Sequence, residues 1–195
     1  TDGSLDWWKI YSSAYNSNSN EYEQTALKNG ICCLNDNGST RIYYLMHGNP
    51  NSTGNNDCWI TELNDSGVIQ TTKWFQATTS YSGSITAKGS NIYVGMYSYA
   101  GGAGYQDWSI IKLDTSLSEV WKRSVGKNNS DYGPRCIRVD SNDNVYAVGQ
   151  VNDAYSSSTQ NDALIVKYNS SGTLQWSKVI YGTRNDTGSV GESDQ

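Results

Sequence analysis

The chain of 195 residues holds two Pro, one Phe, two Met and a single His, and only 17 % of it is charged. Each scarcity excludes something. One His and four Cys with no C-x-x-C spacing supply too few ligands in the right pattern for a zinc site. No apolar run approaches the ~20 residues that cross a bilayer, and no charged stretch followed by an apolar one marks a signal peptide. A net charge of −5 and a pI near 4.7 lack the basic footprint of nucleic-acid binders. The charge-rich, aromatic-poor profile of disordered chains is missing too, since 15 Tyr and 7 Trp stand among abundant Asn, Ser, Thr and Gly. Aromatic and β-branched residues suit pleated surfaces, so the expectation is a folded all-β protein with long polar loops. Cys32 and Cys33, adjacent in a strand, would point to opposite faces. With Cys58 and Cys136 they read as buried, inert thiols rather than a disulfide framework.

What the chain has in abundance is repetition. "DCWITEL" from Asp57, "DWSIIKL" from Asp107 and "DALIVKY" from Asp162 align without gaps. Upstream of each runs "RIYYLMHG" from Arg41, "NIYVGMYS" from Asn91 or "NVYAVGQV" from Asn144, and Tyr43, Tyr93 and Tyr146 keep the same period of about 50 residues. Each unit reads as four strands. The first carries Cys32 and Leu34, Ile85 and Ala87, or Ile137 and Val139, and the turns "NDNGST", "KGSN" and "DSNDN" lead from it into the Tyr strand. The turn from Asn35 is expected to carry Ser39 and Thr40 as extra residues. A long polar loop precedes the Asp strand, and "NDSG", "DTSL" or "NSSG" turns into the fourth strand, which carries Trp121 with Arg123 or Trp176 with Lys178; Thr71 replaces the Trp in the first unit. "GSLDWWKI" from Gly3 matches "GTLQWSKV" from Gly172, aligning Trp7 with Trp176 and Lys9 with Lys178.

Four antiparallel strands recurring at this period describe β-propeller blades. Residues 1–13 read as the outer strand of a preceding blade, 14–78, 79–127 and 128–182 as three complete blades, and 183–195 as the start of a further blade or a tail. A ring needs about four blades or more, so an incomplete ring, a slice of a longer polypeptide, is expected.

"GPRCIRVDSNDNVYAVGQV", "DALIVKYNSSGTLQWSKVIYG" and "DWSIIKLDTSLSEVWKRSVG" resemble the bacterial and phage β-propeller repeats abbreviated SBBP, most cleanly from Gly83 to Gly182. The first unit departs from that pattern in its long lead-in from Tyr15. The resemblance implies a propeller fold and an extracellular, cell-surface or virion setting, and it carries over no catalytic residue.

In an up-and-down blade the tight turns fall at one end and the long connections at the other. Those connections are rich in Tyr, Ser, Asn and Gly, the chemistry of adaptable binding loops. Tyr15, Tyr81, Tyr99, Tyr105, Tyr132 and Tyr155 are the ligand-binding candidates. Suitable partners are a cell-surface glycan or protein neighbours in a surface or virion assembly, with no nucleic acid, membrane insertion, cofactor or metal. Asp57, Asp107 and Asp162 are expected to accept backbone N–H bonds at the entry to their strand, and Trp7, Trp121 and Trp176 to pack between sheets. Lys9, Lys73 and Lys178 are expected to lay their stems on apolar surface. "DSNDN" from Asp140 opens like a calcium loop but has Val145 and Val151 where that loop needs Gly and Glu, so a hairpin turn is expected. His47 has no evident Ser or Cys partner in the sequence.

The leading expectation is a non-catalytic scaffold presenting its loop face to a partner. One alternative is a purely structural phage tail or fibre component. The other is part of a glycan-active hydrolase or lyase, whose channel residues would come from Arg135, Arg138 and Lys88 on inner strands.

Overall fold

The computed structural model describes residues 23–25, 30–48, 56–75, 80–98, 107–126, 133–152, 161–182 and 190–194. Every regular element among them is a β-strand: β1 (Glu23–Thr25), β2 (Ile31–Asp36), β3 (Ser39–Gly48), β4 (Asp57–Leu63), β5 (Ile69–Phe75), β6 (Ser80–Lys88), β7 (Asn91–Ser98), β8 (Asp107–Asp114), β9 (Glu119–Val125), β10 (Pro134–Val139), β11 (Val145–Asn152), β12 (Asn161–Tyr168), β13 (Leu174–Gly182) and β14 (Val190–Asp194). They form three antiparallel sheets in chain order. The first is β2-β3-β4-β5 with β1 also paired to β3, the second β6-β7-β8-β9, and the third β10-β11-β12-β13 with β14 on its outer edge.

The repeat seen in sequence is a repeat in register. Tyr43 pairs across strands with Glu62, Tyr93 with Lys112 and Tyr146 with Lys167; those partners pair onward with Thr71, Trp121 and Trp176. Alternation along each strand gives every sheet two apolar faces. Ile92, Val94, Met96, Ile111 and Leu113 of the second sheet pack on Tyr43, Leu45, Cys58 and Ile60 of the first. Tyr93, Trp108, Ile110 and Trp121 on its other face meet Val145, Ala147, Leu164, Val166 and Tyr168 of the third. β6 touches both β2 and β10, so the first strands lie side by side. The three sheets stay open and do not close on one another.

The tight turns share one construction. Asn64, Asp114 and Asn169 each accept two backbone N–H bonds on Oδ1, from Ser66 and Val68, Ser116 and Ser118, or Ser171 and Thr173. Each turn then needs one residue in the left-handed region: Gly67 (φ 68°), Leu117 (φ 62°) and Gly172 (φ 78°). Asp140 builds the same turn from "DSNDN", accepting from the backbone of Asn142 and Asn144, with Asp143 at φ 61°. That stretch is therefore a hairpin turn. The Asn144 side-chain amide donates to Asp140 Oδ2 at 2.8 Å and the Tyr146 hydroxyl to the same oxygen at 3.0 Å, and these donors, the Asn144 amide foremost, hold the carboxyl down at about 2.

Three expectations change. The β2–β3 turn contains only Asn37 and Gly38, both at positive φ; Ser39 and Thr40 pair with Asp36 and Asn35 inside the ladder. The first strand of the first sheet is split into β1 and β2, where β6 and β10 instead carry a bulge at Ser82/Ser84 and Pro134/Cys136. All four cysteines are free, but only Cys58 is fully buried; Cys33 is exposed because its neighbour Cys32 takes the core side of the strand. Burial pushes the Cys58 thiol well up and Cys32 to about 12.

Candidate functional site

Because each sheet runs straight up and down, the long connections, residues 49–56, 99–106, 126–133 and 153–160, all leave from the end opposite the tight turns, as does the short one at 76–79. The strand ends there bring together a cluster drawn from two sheets and the lead-in to the third. Tyr81 at the start of β6 stacks on Tyr97 at the end of β7, with ring centroids 4.8 Å apart and planes 17° from parallel. The His47 ring, at the end of β3, meets Tyr81 edge-on at 5.4 Å. On the far side Tyr97 lies against Gly133: a Cβ there would sit 2.3 Å from Tyr97 Cδ1, and Gly133 has a φ of 61°. Tyr81 and Tyr97 are half-buried, so the pair rests on the framework and still meets solvent.

Beneath the rings, His47 Nδ1 and Ser82 Oγ are hydrogen-bonded at 2.7 Å, which supplies the serine partner that the sequence did not reveal. Ser82 is 2 % exposed and His47 6 %. A substrate cannot reach that hydroxyl, so the pair ties the first sheet to the second instead of forming a nucleophile. Burial lowers the imidazole's proton affinity and favours its neutral form. Nearby, burial raises the carboxyls of Asp57 and Asp107. Asp107 Oδ1 and Ser80 Oγ are buried without a hydrogen-bond partner among the described residues. The backbone of Gly126 lies so close that a Cβ there would fall 2.0 Å from Asp107 Oδ1.

Of the six tyrosines expected to bind, Tyr81 is in the cluster, on a strand instead of in a loop; Tyr15, Tyr99, Tyr105, Tyr132 and Tyr155 lie outside the described residues. Nothing local in the sequence marks Tyr97 or His47 as a ligand contact. Tyr97 hides in the strand motif "NIYVGMYS", and only the Tyr81–Tyr97 register match reveals it. Trp7 and Lys9 also lie outside the described residues, whereas Trp121 packs between sheets as expected and Trp176 does not, being 36 % exposed. Lys88, one of the inner-strand basic residues, is tied to the neighbouring sheet's turn: its ammonium group donates to the Asp140 carbonyl and pairs with Asp143 at 2.7 Å.

No protein-family model matches the chain, and no curated protein matches it. The resemblance to SBBP-type repeats rests on the quoted motifs.

Proposed function

We propose that the chain is a run of β-propeller blades acting as a non-catalytic scaffold in an extracellular surface or virion protein, with its long-loop end as the binding face for a glycan or a protein neighbour. The propeller reading is supported by three sheets with the same register, stacked face to face with their first strands adjacent. The binding reading is carried by one observation, the half-buried Tyr81–Tyr97 stack held between His47 and Gly133 at the end from which the long connections leave. Planar rings on a rigid base beside Asn- and Ser-rich loops suit the apolar faces and hydroxyls of a sugar, or a polar protein surface.

The test is binding of the whole chain to an array of bacterial surface oligosaccharides, repeated with Tyr97→Ala and Tyr81→Ala. Binding should weaken at least about tenfold in both variants, each of which removes a ring contact worth on the order of 1.5 kcal/mol. Unchanged binding in both would remove the stack from the site, and release of shortened glycan would favour the hydrolase alternative.

A further inference from the structure

The fourth strands of the three sheets are guarded against further pairing in different ways. On the third sheet β14 runs along the outer side of β13. β9 ends the second sheet with Glu119, Lys122 and Arg123 among its seven residues, the kind of charge by which an edge strand discourages a stranger. β5, which ends the first sheet, has neither device. Its seven residues, "IQTTKWF", hold one charge and no Pro or Gly, and no strand pairs with its outer side among the described residues. That one charge, Lys73, shares a face with Phe75, which packs on the core between the first and second sheets, so it is turned inward.

The edge is also apolar and preorganised. Ile69 is 49 % exposed and Trp74 45 %. Trp74 is held from one side by Trp59, which is buried, with ring centroids 4.7 Å apart. This pair departs from the repeat: at the same register Ser109 faces Ser124 in the second sheet and Leu164 faces Val179 in the third. A side chain already fixed loses little freedom when something meets it.

We infer that β5 is a homodimer interface, at which β5 of a second copy of this chain pairs antiparallel about a two-fold axis through Thr72. The sequence of the strand selects both the occupant and the register. Two copies related by such an axis run antiparallel with their faces matched, and an axis at the central residue engages all seven positions: Thr72 meets Thr72, Thr71 meets Lys73, Gln70 meets Trp74 and Ile69 meets Phe75. No like charges are opposed, whereas an axis moved one residue to Lys73 would set two ammonium groups against each other. β14 on β13 is the precedent within the fold for an antiparallel strand at this outer position. The inference stands apart from the ligand reading of the Tyr81–Tyr97 stack.

Sedimentation velocity of the whole chain at rising concentration, up to about 1 mM, should show monomer passing into dimer. Thr72 is exposed and would face its own copy, so Thr72→Lys and Thr72→Asp should each weaken the dimer about tenfold or more, and an equimolar mixture of the two should restore it. Amide hydrogen exchange in the parent chain should slow in β5, and not in β9, as concentration rises, which keeps the inference testable if either variant folds poorly. A parent that stays monomeric throughout, a dimer that neither substitution weakens, or a mixture that recovers nothing would overturn it. Concentration-dependent protection elsewhere with none in β5 would overturn it too, assigning self-association to another surface.

Discussion

The interface between the first and second sheets and that between the second and third are built to one plan with different residues. At the second, Trp121 fills the space above the sheet and the docking turn carries Gly172, which has no side chain to collide with it. At the first, Thr71 stands where the Trp would be, and the docking turn carries Leu117, 3 % exposed and part of the core. Leucine in the left-handed region costs on the order of 1–2 kcal/mol, and the apolar contact it makes offsets that cost. The cation moves as well. Lys112 donates to Ser170 O across the second interface; across the first, Glu62 occupies the lysine position and Arg41 donates to Thr115 O at 2.6 Å. Arg41 also grips Glu62 with two bonds of 2.7 and 2.9 Å and lies over Tyr43 at 5.7 Å. The comparison teaches that what the repeat conserves is a filled volume and a donor on the turn carbonyl, whichever residue supplies them.

The largest expected break is Trp121→Ala, at about 3–5 kcal/mol of stability by denaturant titration, whereas Trp176→Ala should cost less than about 1 kcal/mol because nothing in the described structure closes over it. Comparable losses would erase the distinction between the covered and open faces. Gly172→Leu places a side chain at φ 78° against Trp121 and should cost about 3 kcal/mol, from overpacking and the left-handed conformation together. Leu117→Gly should cost about 2 kcal/mol, less than an ordinary buried leucine because the turn relaxes as the cavity opens. Adding Thr71→Trp to that variant rebuilds the first interface on the pattern of the second, and recovery of at least about 1 kcal/mol would confirm the exchange. The smallest effect concerns His47, which joins the two sheets at the other end. Its folded-state proton affinity is depressed below the ordinary 6.5, so its contribution is complete above that pH and declines as pH falls through the lowered folded value. Thermal melts of His47→Gln between pH 5 and 8 should lack that part of the slope.

The strand repeat, its tight turns and the end from which the long connections leave were all legible in the sequence, since alternation and Asx-Gly signals are local. The sequence did not reveal the approach of Gly126 to Asp107 Oδ1, because that closeness arises only once β8 and β9 are paired. It passed over the His47–Ser82 bond and the Tyr81–Tyr97 stack for the same reason: the first joins residues 35 apart on different sheets, and the second depends on a register shifted by the bulge at Ser82/Ser84.

By itself, then, the sequence determined the period, the four-strand unit and the turns, because these are set by side-chain alternation and by residues that tolerate left-handed backbone. Only the tertiary structure decided that Trp121 is sealed and Trp176 open, that Leu117 answers Thr71, and that His47 finds a serine. Those outcomes depend on which surfaces come within a few ångströms of each other, and close packing between sheets is a property of pairs that no single strand contains.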